Sequence, residues 1–231
     1  MNPINIDRVT DMNTQTKPDD IGGIYVRGHI KIHNPESGEV FVDKSNAIHY
    51  ENISTALAYN LAHKDQNFIY AMRFGNGGTS VDPTGVITYL PPNTTGQNSN
   101  LYNTTYSKVV DDTSASNNNP AQNFITVRHI PGQVYTDILV SCLLDYGEPS
   151  GQQAFDNSQT LTDTYTFDEL GLVGYSTDGT IDTLSNGVFT SSTGPLLTHV
   201  VFHPVQKSLN RLIQVDYTVR IQTLTNLSSI G

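Results

Sequence analysis

Apolar residues recur at every second position along several stretches of this chain, the period of a strand with one buried face. In residues 24–32, Ile24, Val26, Gly28, Ile30 and Ile32 alternate with Tyr25, Arg27, His29 and Lys31. The turn-forming run Asn34-Pro35-Glu36-Ser37-Gly38 then leads into Val40-Phe41-Val42, which predicts a β-hairpin. The clearest alternation closes the chain: Ile213, Val215, Tyr217, Val219 and Ile221 interleave with Gln214, Asp216, Thr218, Arg220 and Gln222. Further strands are expected at 68–74, 86–89, 106–110, 124–129, 135–144, 165–173 and 196–202. The 124–129 and 135–144 strands read as core strands, the second apolar on both faces around Val140 and therefore predicted to be central.

Only one stretch has helical spacing. It opens near Ser45 or Asn46, both good N-cap residues, and runs to about His63 with Ile53, Ala56, Leu57 and Leu61 on one stripe. Strands separated by Gly, Asn and Pro turns, with one helix packed on them, predict a mainly β fold: an antiparallel β-sandwich or barrel-like domain. Residues 1–22 are polar and aperiodic and read as an extended amino-terminal arm. Residues 23–231 read as a single domain with long polar loops at about 75–120, 145–165 and 176–194. Loops of that length are unusual inside a compact domain, so they are expected to reach a partner and take their order from it.

Composition fits this picture. Charged residues make up only 15% of the 231 positions and hydrophobic ones 36%, so much of the surface falls to uncharged Asn, Thr, Ser, Gln and Gly. The net charge of −10 and pI near 4.9 argue against binding a phosphate backbone or an anionic membrane, which needs clustered Lys and Arg. No specific nucleic acid and no membrane partner is expected. A single cysteine, Cys142, excludes an intramolecular disulfide, and its apolar setting predicts a buried, inert thiol. The first residues lack a basic stretch followed by an apolar one, so the chain reads as cytoplasmically made, and its sequons at Asn52, Asn93, Asn103 and Asn226 carry no weight.

Local chemistry is sparse. Asp168 and Glu169 are a carboxylate doublet, but strand neighbours point to opposite faces, so the pair reads as surface charge or an inter-subunit contact rather than an acid/base pair. His29 and His33, and likewise His199 and His203, lie four apart on strands, about 13 Å along the chain, too far for one metal ion. Gly75-Asn76-Gly77-Gly78 lacks the Lys-Ser/Thr ending of a phosphate loop and reads as a tight turn whose glycines allow angles other residues resist. Asp82, Asp111, Asp112 and Asp156 match no calcium-loop spacing. No catalytic residue, cofactor or metal site is expected. The candidate interface residues are Asn76, Tyr89, Tyr102, Tyr106, Asp168, Glu169 and Tyr175.

Four segments carry a resemblance: Asp43-Lys44-Ser45-Asn46-Ala47-Ile48-His49-Tyr50, Arg73-Phe74-Gly75-Asn76-Gly77-Gly78-Thr79, Phe167-Asp168-Glu169-Leu170-Gly171-Leu172 and Leu197-Thr198-His199-Val200-Val201-Phe202-His203-Pro204-Val205. They resemble segments of structural proteins of tailed bacteriophages, particularly contractile-tailed phages including cyanophages. That resemblance implies a non-enzymatic virion subunit of the neck, tail or baseplate, made in the bacterial cytoplasm. It would be repeated as a homo-oligomeric ring around the tail axis and joined to other virion proteins. Two alternatives stay open: a host-receptor or glycan-binding module using Tyr89, Tyr102, Tyr106 and Tyr175 as stacking platforms, and a particle-associated hydrolase.

Overall fold

A computed structural model describes residues 22–149, 164–176, 183–185, 188–190 and 194–225. The expected amino-terminal arm up to residue 21 and most of the 145–165 and 176–194 loops lie outside the described residues. In chain order the elements are β1 (Gly22–His33), β2 (Val40–Ile48), α1 (Tyr50–Leu61), β3 (Ile69–Gly75), β4 (Thr79–Val81), β5 (Ile87–Tyr89), β6 (Thr104–Val109), β7 (Phe124–His129), β8 (Tyr135–Leu144), β9 (Thr164–Gly174), β10 (Thr183–Ser185), β11 (Val188–Thr190), β12 (Thr198–Ser208) and β13 (Ile213–Thr225). The protein is mainly β with one helix. Nine strands form an antiparallel sheet in the order β6-β3-β9-β12-β2-β1-β13-β8-β7, curled into a half-barrel. β4–β5 and β10–β11 are separate two-stranded hairpins.

Alternation decides which face of each strand turns inward. Along β13 the predicted set Ile213, Val215, Tyr217 and Val219 is buried, facing Val140, Cys142 and Leu144 of β8 and Ile30 and Ile32 of β1. These residues belong to one core cluster with Phe74, Phe167, Phe202 and Tyr165 from the far half of the sheet, so the curl brings both halves onto a shared interior. There the ring of Phe167 meets Phe74 and Phe202 edge-on at 5.3 and 5.8 Å and stacks on Tyr165 at 5.5 Å. A side chain from the sheet edge also ties the two halves of the curl. Lys108 of edge strand β6 donates through Nζ to the Leu143 carbonyl of β8 at 2.7 Å and pairs with Glu148.

Several expectations change. The helix starts later, because residues up to Ile48 extend β2 and pair with β12 (Ile48 with Thr198), a tertiary contact that overrides the cap preference of Ser45 and Asn46. His49 caps it instead, its Nδ1 accepting from the Asn52 amide at 3.2 Å. Ile53, Ala56 and Leu57 face the core, but Leu61, in the last turn, is 86% exposed. The β8 strand is paired on both sides, by β13 and β7, yet lies one strand from the sheet edge rather than at its centre, and β7, expected in the core, is the edge strand itself with residues 126–129 exposed. Gly22, assigned to the arm, already pairs with Thr225 in β1. Among the described residues no helix is long and apolar enough to cross a membrane.

Candidate functional site, a loop platform latched by buried carboxylates

The chain between β3 and β6 folds back over the outer face of β3, β9 and β12. Leu101 of this loop is buried with Ala71, Val173 and Leu196 in a second, smaller apolar cluster on that face. This part of the sheet is thus covered on both sides, and polar groups there must be satisfied internally.

They are satisfied by the carboxylate doublet. Asp168 and Glu169 are both fully buried. One oxygen of Asp168 accepts from the Gly78 amide at 2.9 Å; the other accepts from the Thr79 amide at 2.9 Å and from the Thr79 hydroxyl. Oε1 of Glu169 accepts from the amides of Gly77 (3.1 Å) and Asn103 (2.8 Å), and Oε2 from the Tyr102 amide (2.9 Å) and His199 Nε2 (3.0 Å). His199 in turn accepts at Nδ1 from the Asn93 amide at 2.7 Å, which places the ring proton on Nε2, facing Glu169. Adjacent strand residues reach the same loop because alternation breaks here. Phe167 and Leu170, three apart, both enter the core, and β12 takes four steps from Val201 to Val205 while β9 takes two from Glu169 to Phe167. The expectation of opposed, surface-facing carboxylates is corrected on both counts.

Burial pushes the Asp168 carboxyl up from its ordinary value, with the Thr79 and Gly78 hydrogen bonds only partly offsetting it. Burial pushes Glu169 up as well, but hydrogen bonds from His199, Asn103 and Tyr102 outweigh it and hold that carboxyl below its ordinary value. With no exposed surface and every oxygen accepting, this pair is a latch.

Glycines make the latch possible. A Cβ on Gly75 would lie 2.5 Å from the Asn103 carbonyl and from a Glu169 oxygen; one on Gly77, 2.8 Å from the Asn103 amide; one on Gly78, 2.8 Å from Val201. None of the three has a positive φ, so the run is glycine for close approach, not for unusual backbone angles. Further pins hold the rest of the loop. His49 Nε2 lies 3.0 Å from the Gly96 carbonyl, and Arg73, itself buried, donates to Asn100 Oδ1 at 3.0 Å. The loop expected to take its order from a neighbour is therefore ordered on its own chain across residues 76–103.

Five of the seven candidate interface residues meet here. Asn76 exchanges hydrogen bonds with Asn103, and Tyr102, 38% exposed, donates its hydroxyl to the Pro91 carbonyl at 2.6 Å. Tyr89, 49% exposed, sets its hydroxyl 3.2 Å from His203 Nδ1. Asp168 and Glu169 lie beneath. Tyr106 does not join them: it sits half-buried in β6 against Phe74 and Tyr165, and burial raises its hydroxyl pKa. Tyr175 stacks on Phe68 at 4.9 Å, after the end of β9. Sequence reading missed His49, Asn93, Asn100 and the role of His199. The usable signal was a carboxylate doublet inside an apolar strand run, with a glycine run elsewhere to receive it.

Among exposed polar residues such as Asp82, Thr84, Thr88, Gln97 and Asn98, the latched loop also presents Val81, Val86, Tyr89, Leu90 and Tyr102 outward. Among the described residues, no three His, Cys, Asp or Glu side chains are grouped to hold a metal ion. No family model, curated protein or solved structure matches this chain, so its function has to be argued from this geometry and from the sequence resemblance.

Proposed function

We propose that this chain is a non-enzymatic structural subunit of a tailed-phage virion, in the neck, tail or baseplate, that joins copies of itself and other virion proteins through the latched loop platform. The observation that carries the reading is a surface of exposed Val81, Val86, Tyr89, Leu90 and Tyr102 held on fully buried carboxylates. Exposed apolar and aromatic groups on a pre-ordered backbone suit a protein interface, because little ordering cost is left to pay on contact. The hydrolase alternative draws no support from Asp168 and Glu169, whose oxygens are all occupied by protein donors.

Mass photometry of the purified chain over a range of concentrations, with negative-stain imaging and with purified tails or necks added, tests the reading. Closed rings of defined copy number, or joining to those particles, is the expected result, weakened by Tyr89→Ser with Leu90→Ser. A chain that stays monomeric, joins no particle and instead binds a glycan or turns over a substrate overturns it.

A further inference from the structure

The two edges of the nine-stranded sheet are finished differently. Among the described residues each edge strand pairs with one neighbour, β6 with β3 and β7 with β8, and no backbone hydrogen bond joins the outer side of either to a further strand; β6 differs in being tied across to β8 by Lys108. Residues 126–129 of β7 are exposed, with Val127 at 66%. An unpaired strand with an exposed aliphatic side chain is a template for a further strand.

The two faces of that edge have opposite chemistry. On the inner face, Ile125 and Val127 line a hollow of about 430 Å³ with Ile138, Ile221 and the helix residues Ile53 and Leu57, and Asp111 and Asp112 also border it. On the outer face, registration places Arg128, Asp137, Arg220 and Arg27 in one row across β7, β8, β13 and β1. Arg220 grips Asp137 with two bonds of 2.6 and 2.8 Å, and Arg128 is 3.7 Å from the same carboxylate. Two guanidiniums thus share one carboxylate, and a third, Arg27, is directly paired with Arg220 across strands, which is unfavourable for like charges. This local excess of positive charge stands on a chain of net charge −10.

We infer that the β7 edge receives an extended segment of a partner protein as a tenth strand, one whose side chains alternate between aliphatic and acidic. The aliphatic side chains would continue the apolar surface of Ile125 and Val127 beside the hollow. The acidic ones would lie beside Arg128 and supply the missing negative charge of the row. Backbone pairing gives the strand its affinity and the alternation gives its selectivity. The inference does not rest on the virion reading, since such an edge would serve any protein–protein role.

The test uses the full chain and two short labelled peptides, one alternating valine with glutamate and one alternating valine with lysine, read by fluorescence anisotropy at low salt and by amide exchange. The glutamate peptide should bind about tenfold more tightly than the lysine peptide, as a charge-steered contact does, and should slow exchange at Phe124–His129. Arg128→Glu, a change at an exposed position, should reverse the preference, and Val127→Lys should abolish binding of the glutamate peptide. Equal binding of both peptides, no charge reversal, or unslowed β7 exchange overturns the inference. So does a free chain whose β7 amides are protected only as it self-associates, since a second copy would then be the occupant.

Discussion

The loop over residues 76–103 and the strand β7 reverse the usual association of strand with rigidity and loop with freedom. The loop has no regular structure beyond the short β4–β5 hairpin, yet six of its backbone amides end on Asp168, Glu169 and His199, all fully buried. The strand has regular geometry, yet among the described residues one of its two edges has no strand partner. Local order follows where the backbone's hydrogen-bonding groups are satisfied, and a few buried acceptors do for the loop what a ladder does for a strand.

Removing the central acceptor is the hardest blow to that contrast. Glu169→Ala leaves three amides and His199 without their acceptor in a closed space, and should cost about 3–5 kcal/mol in urea unfolding. Gly75→Ala attacks the same latch sterically, against the Asn103 carbonyl, and should cost about 1–3 kcal/mol. Asn103 and Tyr102 amides should lose exchange protection in both variants while β8 keeps its own.

Acid titration separates the two carboxylates. Glu169 is held below its ordinary 4.5, so its stabilisation is present above that value and is lost as pH falls through the depressed folded value. Asp168 is raised above its ordinary 3.8, so its contribution is fully present below 3.8 and is lost as pH rises through the raised folded value. The stability gap between the wild type and Glu169→Gln should therefore shrink on acidification below 4.5. The gap for Asp168→Asn should move the other way, each by at most about 1.4 kcal/mol per pH unit. Gaps that move together in urea titrations at several pH values would count against this assignment. The smallest effect is expected at Leu61, where Leu61→Lys should stay within about 0.5 kcal/mol.

Period-2 alternation made much of the sheet legible. It put Ile213, Val215, Tyr217 and Val219 inside because β13 is long and regular, while the limits of β7 and β8 came from apolar runs between turn residues rather than from alternation. It failed at Asp168 and Glu169 for the same reason. The rule assumes an unbroken pleat, and the irregularity that turns both carboxylates to one loop arises from two extra residues on β12, a partner more than thirty positions away. The helix start was misplaced because Ser45 and Asn46 carry good cap chemistry while their neighbour Ile48 is claimed by Thr198. The platform was invisible because its pins, His49, Arg73, His199 and Asn100, are scattered in sequence and meet only through the fold.

Cys142 gives this molecule a built-in clock. It is the only thiol in the chain, it lies fully buried where β8 faces β13, and burial pushes its pKa up to about 12. A thiol-labelling reagent can reach it only when the half-barrel itself opens, so the rate of its modification under native conditions counts those openings. Because it sits one strand in from the β7 edge, the same rate, with and without a strand bound there, reports how far occupancy of the edge reaches into the core.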